Sequence, residues 1–257
     1  MNQWYQAVVP IDFPIERFFQ VKGFLGSMEK ENFLVLYFEK NEENRKLLKE
    51  LNLTVISEGD WVEKWREYFV PVTIGRITVV PPWRHKEGNV VINPSKGFGT
   101  GHHETTKISI SLIEEVLEKN SDVTTMIDVG TGSGILAVSA LRLNPEIKVT
   151  AIDNDPEALE NTFENAFLND TVNSIDISNK PLFEFKESFD FVVANIISSV
   201  LYFLSDDLKR LSSKWLLLSG ILDHESEVFV EKMSLENFEL IKKKQDGEWV
   251  GFIFKRK

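Results

Sequence analysis

A chain of 257 residues with 42% apolar residues and 19 phenylalanines can build a substantial core, which excludes wholesale disorder and fits one large domain or one domain with a small appendage. Its net charge of -11 argues against a nucleic-acid backbone as the main partner, because phosphate binding needs a basic surface. The absence of cysteine excludes disulfides and thiolate chemistry; with no signal-peptide pattern and no apolar run of membrane-span length, a soluble cytoplasmic protein without a membrane partner is expected.

From the N-terminus, Trp4 to Ile11 alternates as a strand, Pro14 opens a short helical stretch through Gln20, and Gly23 and Gly26 mark a turn. Asn32 to Phe38 reads as a second strand, Glu43 to Leu51 as a helix and Leu53 to Ser57 as a possible closing strand. This order predicts a small α+β domain over residues 1–57, too small to carry a nucleoside site and suited to recognition or packing. Residues 58–92 read as a linker: Asp60 caps a helix whose Trp61, Trp65 and Phe69 recur at i, i+4 and i+8, a stripe better explained by packing than by a substrate platform. A strand over Val72 to Val80 and a short one over Val90 to Ile92 follow.

The main domain is expected over residues 93–257. It opens with Asn93 to Ile110, in which Gly97, Gly99 and Gly101 precede an amphipathic helix over Glu104 to Lys119. Adjacent His102, His103 and Glu104 invite a metal reading, but neighbouring side chains diverge, and the helical two-histidine pattern needs i, i+4 spacing. No metal is therefore assigned, and a glycine-rich cover over a ligand explains the stretch better.

The most informative stretch is Met126 to Gly134, MIDVGTGSG, followed by Asp153 at the end of the next apolar run, Val149 to Ile152. An apolar strand carrying Asp128 opens into Gly130, Gly132 and Gly134, where backbone must approach a ligand and positive φ is favoured. The helix that follows, ILAVSALRL, presents its first amides to a carboxylate or phosphate. Asp153 stands where ligands of open α/β sheets bind and suits a ribose diol. A nucleoside ligand follows. The GxGxG spacing differs from the dinucleotide fingerprint GxGxxG and looks like the first motif of class I S-adenosylmethionine-dependent methyltransferases; dinucleotide binding and a bare strand-helix turn are the competing readings.

Further along, Pro156 begins a helix through Asn169, Phe189 to Ala194 is a strand with Asn195 at its carboxyl end, and Ser205 to Leu211 lies in a helix. Trp215 to Leu218 is a strand, Glu225 to Met233 a helix, and Phe238 to Lys242 with Val250 to Phe254 an antiparallel pair. Alternating strands and helices predict a mostly parallel, doubly wound α/β sheet.

Taken in order, FGTGHHETT, DVGTGSGILAVSAL, AIDNDPEALENTFENAFLN, VVANI, LSGIL and the terminal GEWVGFIFKR resemble the PrmA family, bacterial methyltransferases of large-subunit ribosomal protein eleven. The resemblance runs from about Trp61 to the C-terminus and implies a seven-stranded, Rossmann-like class I methyltransferase domain behind a small ferredoxin-like domain. It implies S-adenosylmethionine as cofactor, lysine side chains and the N-terminal amine of ribosomal protein eleven as acceptors, and a monomer that needs no nucleic acid. The family's cofactor positions fall on Thr106, Gly130, Asp153 and Asn195, with Gly132 and Gly134 in the same turn. Phe98 is a candidate shield for the sulfonium or the amine, or else a loop anchor.

Asn195 is the candidate catalytic residue. Ile196 and Ile197 follow it where enzymes of base amino groups or glutamine amides carry a proline pair and an aromatic, so a planar nitrogen is disfavoured. The expectation is that an Asn195 carbonyl, from side chain or backbone, orients the amine while water removes its proton; an asparagine capping the next helix is the structural alternative. A lysine methyltransferase for another protein, such as an electron-transfer flavoprotein subunit, and a cofactor-binding ribosome partner without turnover are the rival functions.

Overall fold

The computed structural model describes residues 4–10, 18, 21–30, 33–51, 53, 69–93 and 101–257. The helix expected from Asp60, most of the stretch expected from Pro14 to Gln20, the strand expected after Leu53, and Phe98 lie outside the described residues. The chain divides into two compact units, Met1–Phe69 and Val70–Lys257.

In the first unit, β1 (Trp4–Pro10), β2 (Phe24–Lys30) and β3 (Phe33–Glu39) form an antiparallel sheet in the order β1-β3-β2. Gly23 (φ 84°) stands in the expected turn, where the Phe24 amide donates to the Val21 carbonyl at 3.1 Å, whereas Gly26 (φ 130°) lies within β2 at a register shift against β3. Leu34, Leu36 and Phe38 alternate along β3 and join Ala7, Val9, Phe18 and Leu48 in one core. Phe18 and Phe24 meet Phe38 at 5.4 and 5.1 Å between ring centres. Helix α1 (Glu42–Glu50) starts where Asn41 accepts from the Asn44 amide at 2.8 Å, the capping bond that ends β3 and begins a helix.

The second unit begins with β4 (Val72–Ile74) and β5 (Ile77–Val80), an antiparallel hairpin that β6 (Val90–Val91) joins parallel to β5. A single strand over Val72 to Val80 was the expectation. Gly75 breaks it: at φ +55° it makes a turn in which the Arg76 amide and Nε both donate to Glu114 Oε1, at 2.9 and 3.0 Å. Ile74, Ile77, Val79 and Val90 are buried in the same cluster as Ile108, Leu112 and Leu136. Residues 70–92, expected as the later part of the linker, belong to the second unit.

The remaining chain alternates helix and strand: α2 (Glu104–Lys119), β7 (Thr125–Val129), α3 (Ile135–Leu143), β8 (Lys148–Ile152), α4 (Pro156–Leu168), β9 (Ile175–Ser178), β10 (Phe189–Asn195), α5 (Ser198–Leu211), β11 (Ser212–Leu222), α6 (Ser226–Lys232), β12 (Phe238–Asp246) and β13 (Trp249–Arg256). One seven-stranded sheet has the order β12-β13-β11-β10-β7-β8-β9. Five neighbouring strands are parallel, and β13 inserts between β11 and β12, antiparallel to both. Both faces are covered, which is why the strands read as continuous apolar runs. Along β10, Phe191 and Val193 enter the cluster that contains α2 and α3, whereas Val192 and Ala194 enter the cluster that contains α5. At roughly 1.5–3 kcal/mol per large apolar side chain buried, these two layers are the main stabilising force. Strand β9 is absent from the sequence reading because IDIS is short and carries only Ile175 and Ile177 as apolar alternation.

Candidate active site

Strand β7 ends at Val129, and the chain then turns through Gly130 (φ +71°), Gly132 (φ +56°) and Gly134 (φ +74°) before α3 starts. All three are in the left-handed region that side chains rarely adopt. Sterics add to this at Gly130, where a Cβ would stand 2.5 Å from Ile196 Cγ2, and at Gly134, where it would stand 2.9 Å from Thr162 Cγ2. Glycine thus allows the turn to lie between the β10 end and α4.

The turn's amides are bound to the neighbouring strand. Gly130 and Thr131 both donate to the Ile152 carbonyl, at 2.9 and 3.0 Å. The Gly132 amide donates to Asp153 Oδ2 at 3.0 Å, and the Asp155 amide donates to Asp153 Oδ1 at 3.1 Å. Asp153 is therefore fixed at the carboxyl end of β8, and each of its oxygens retains capacity to accept from a ligand hydroxyl. The helix amides expected to face a ligand are used differently: Gly134 donates to the Thr131 carbonyl at 2.9 Å and Ile135 to the Ser133 hydroxyl at 3.4 Å. These two donors are used within the tight turn.

Asp128 lies beneath the turn, 1% exposed, and accepts from the Thr131 hydroxyl at 2.7 Å. Burial pushes its carboxyl up to about 7, against the opposing pull of the Thr131 hydrogen bond. It does not line the cleft, so its work is to hold the turn from below.

The turn forms one wall of a cleft of about 1230 Å³ that Thr106, Asp153, Asn195 and Trp249 also line. Asn195 ends β10 opposite Ser219 of β11. Its Oδ1 is buried and has no hydrogen-bond partner, and the hydroxyl of Thr106, 0% exposed in the first turn of α2, has none either. Two buried acceptors that face a cleft without partners are groups that a ligand would satisfy, since leaving them unpaired costs about 1–3 kcal/mol each. The Asn195 side chain makes no capping bond to α5, which removes the structural alternative for this residue.

His103 caps α2 by accepting from the Thr105 amide, Nδ1 to N 3.3 Å, and packs edge-on against Trp249 at 5.2 Å. Among the described residues no group of three or more His, Cys, Asp or Glu is gathered as a metal site. Part of the lining is apolar: Phe183, Ile197, Val200 and Phe203 line the same cleft, and Ile197 and Phe203 are 61% and 87% exposed.

The structure thus brings Thr106, Gly130, Gly132, Asp153 and Asn195 to one cleft from four separate stretches of chain; Gly134 lies behind it as the cap of α3. Trp249 and the segment 179–183 were missed by sequence reasoning. Trp249 stands in the terminal GEWVG without a chemical signal of its own, and the segment was hidden because β9, which delivers it, was not read.

A family model described as ribosomal protein L11 methyltransferase (PrmA) matches residues 5–257. The ribosomal protein L11 methyltransferase of Pelobacter propionicus is 34% identical over 214 residues, 79% of this chain and 69% of that protein. That of Clostridium perfringens is 32% identical over 255 residues, 92% of this chain and 79% of that protein. Among solved structures, a ribosomal protein L11 methylase from Lactobacillus delbrueckii subsp. bulgaricus is 28% identical with a TM-score of 0.66, covering 74% of this chain and all of that one. With a glycine turn, an acid after the second strand and a seven-stranded sheet closed by an antiparallel hairpin, this chain belongs to the ribosomal protein L11 methyltransferase (PrmA) family of S-adenosylmethionine-dependent methyltransferases.

Proposed function

We propose that this protein transfers methyl groups from S-adenosylmethionine to amine nitrogens of ribosomal protein L11, the lysine side chains and the N-terminal amine. The observation that carries the amine specificity is Asn195 Oδ1, a buried acceptor without a partner at the carboxyl end of β10 in the cleft. A carbonyl oxygen accepts from an amine N–H and so turns the nitrogen lone pair away from itself. The Ile196-Ile197 sequence after it offers no flat platform for a planar nitrogen.

The residues present fit the donor. Asp153, held by two amides, accepts from the ribose hydroxyls; Gly130 admits the donor's backbone-like end where any Cβ would meet Ile196; Thr106 offers a hydroxyl. The bound donor supplies a methyl group on a sulfonium, and positioning an amine in line with it can contribute roughly 7–11 kcal/mol in favourable systems. A free lysine is protonated up to about pH 10.4, and burial in the cleft favours the neutral amine. No carboxylate or imidazole is assigned as base; Asn195 orients the amine, and water carries the proton away. The first unit, which has its own core and no catalytic constellation among its described residues, serves target recognition in this reading.

The test is to incubate the protein with labelled S-adenosylmethionine and unmodified ribosomal protein L11 from the same source, read by intact mass and peptide fragmentation. Mass gains in one-methyl steps on lysines or the N-terminal amine are expected. Methyl groups on other side chains would refute the amine assignment, and no gain despite donor binding would move the target to another protein, such as an electron-transfer flavoprotein subunit, or to a binding role.

A further inference from the structure

Helix α4 carries asparagine at 161 and 165 and ends on a third, Asn169, as its C-cap; they are spaced i, i+4 and i+8, and all are 5% exposed or less. Asparagine is a poor residue for a helix interior, because its side chain competes for backbone groups. Where a sequence breaks that preference on a buried face, the side chains have another task. Here Asn165 bonds the glycine turn and Asn93, and Asn169 bonds Val91.

Asn165 Nδ2 donates to the Ser133 carbonyl in the glycine turn at 2.8 Å and to Asn161 Oδ1 at 3.2 Å, while its Oδ1 accepts from the Asn93 amide at 2.8 Å. Asn93 is the first residue of the glycine-rich stretch that leads to Thr106. Next to it, Thr162 donates to the Gly132 carbonyl at 3.0 Å, and Gly134 lacks the Cβ that would strike Thr162. One turn further on, Asn169 accepts from the Val91 amide at 2.8 Å and donates to the Val91 carbonyl at 2.6 Å. It touches β6 but no residue of the glycine turn.

We propose that Asn165 and Thr162 are positioning residues for the methyl donor, a clamp on α4 that fixes the glycine turn and the start of the glycine-rich stretch at one spacing. Asp153 holds the Gly132 amide while α4 holds the Gly132 and Ser133 carbonyls, so both donors and acceptors of the turn are fixed. Asn165 reaches both segments, because its side-chain amide donates from Nδ2 to Ser133 and accepts at Oδ1 from Asn93. Asn169 makes a comparable pair of bonds to the neighbouring strand, and its role is structural.

This clamp rests on the reading that the cleft takes S-adenosylmethionine, and the experiment separates the two. Dissociation constants for S-adenosylmethionine are measured by calorimetry, and melting temperatures without ligand, for the wild type and for Asn165→Asp, Asn165→Ala, Asn169→Ala and Thr162→Val. Asn165→Asp keeps the acceptor for Asn93 but sets an oxygen against the Ser133 carbonyl. Both Asn165 variants are expected to bind the donor at least tenfold more weakly, whereas Asn169→Ala loses a similar amount of melting temperature with affinity within twofold of the wild type. Equal affinity losses at 165 and 169, or none at 165, would overturn the clamp. If the Asn165 variants do not fold, Thr162→Val, which keeps the side-chain shape, decides by the same measure: a severalfold loss supports the clamp and an unchanged affinity overturns it. A wild type that does not bind the donor would overturn both the clamp and the cofactor reading.

Discussion

Two regions of the cleft are built on opposite principles. On the glycine-turn side the polar groups are used within the protein: Gly130, Thr131, Gly132 and Gly134 amides, both Asp153 oxygens and the Gly132 and Ser133 carbonyls all have partners. At the end of β10, beside that turn, and at the start of α2, Asn195 and Thr106 bury acceptors that have none. The first region keeps its shape through bonds the chain makes to itself, while the second is completed by what binds. Substitutions in the two regions should therefore separate stability from function.

The largest effect is expected at Gly130. Gly130→Ala must place a Cβ at φ +71° and 2.5 Å from Ile196, a backbone cost of about 1–2 kcal/mol and a shift of the turn. Misplacement of that order lowers rate on the order of 100-fold, so calorimetry should find donor binding nearly lost and the melting temperature lowered as well. If only stability fell, the turn would not be the donor's seat.

Asn195→Ala tests the open region. Removing a buried acceptor that meets only a bound amine should lower turnover about 10- to 100-fold, with the ligand-free melting temperature unchanged or raised. Full turnover at unchanged donor affinity would end the assignment.

Asp128→Asn sharpens the contrast through pH. The folded carboxyl titrates at about 7, above its ordinary value of roughly 3.9. The folded protein thus retains a proton that the unfolded chain releases. The stability this gives is full at acid pH and is lost as pH rises from about 4 through 7. Between pH 5.5 and 8 the wild type should lose roughly 2 kcal/mol relative to the asparagine variant, at about 1.4 kcal/mol per pH unit where the proton is still bound. Parallel melting curves across that range would show that Asp128 is ionised throughout.

Thr106→Val should have the smallest effect, a loss of donor affinity by a factor of about 5, or roughly 1 kcal/mol for one neutral hydrogen bond. Its melting temperature without ligand should not fall, because the hydroxyl has no partner to lose. A fall would place Thr106 with the self-bonded region.

Much of this was legible in the sequence. Period-two burial on both sheet faces made β7, β8 and β10 continuous apolar runs, and the GxGxG turn and Asp153 declared themselves because few other residue types tolerate that φ or offer that acceptor at a strand end. Helix α2 was read to its observed ends, since its apolar positions keep one face over sixteen residues. Elements without such a local signature were harder: the hairpin at Gly75 depends on Glu114, thirty-eight residues away from Arg76, and β9 is too short for its alternation to stand out.

By itself, then, the sequence determined the doubly wound sheet, the glycine turn and the identity of the groups at the strand ends, because each rests on a local backbone preference or a period of burial. Only the tertiary structure decided which donors remain for a ligand, that the Asn195 and Thr106 oxygens are left open, and that asparagines on α4 grip the glycine turn. Those are properties of pairs far apart in the chain, and a hydrogen bond between distant residues has no period to read.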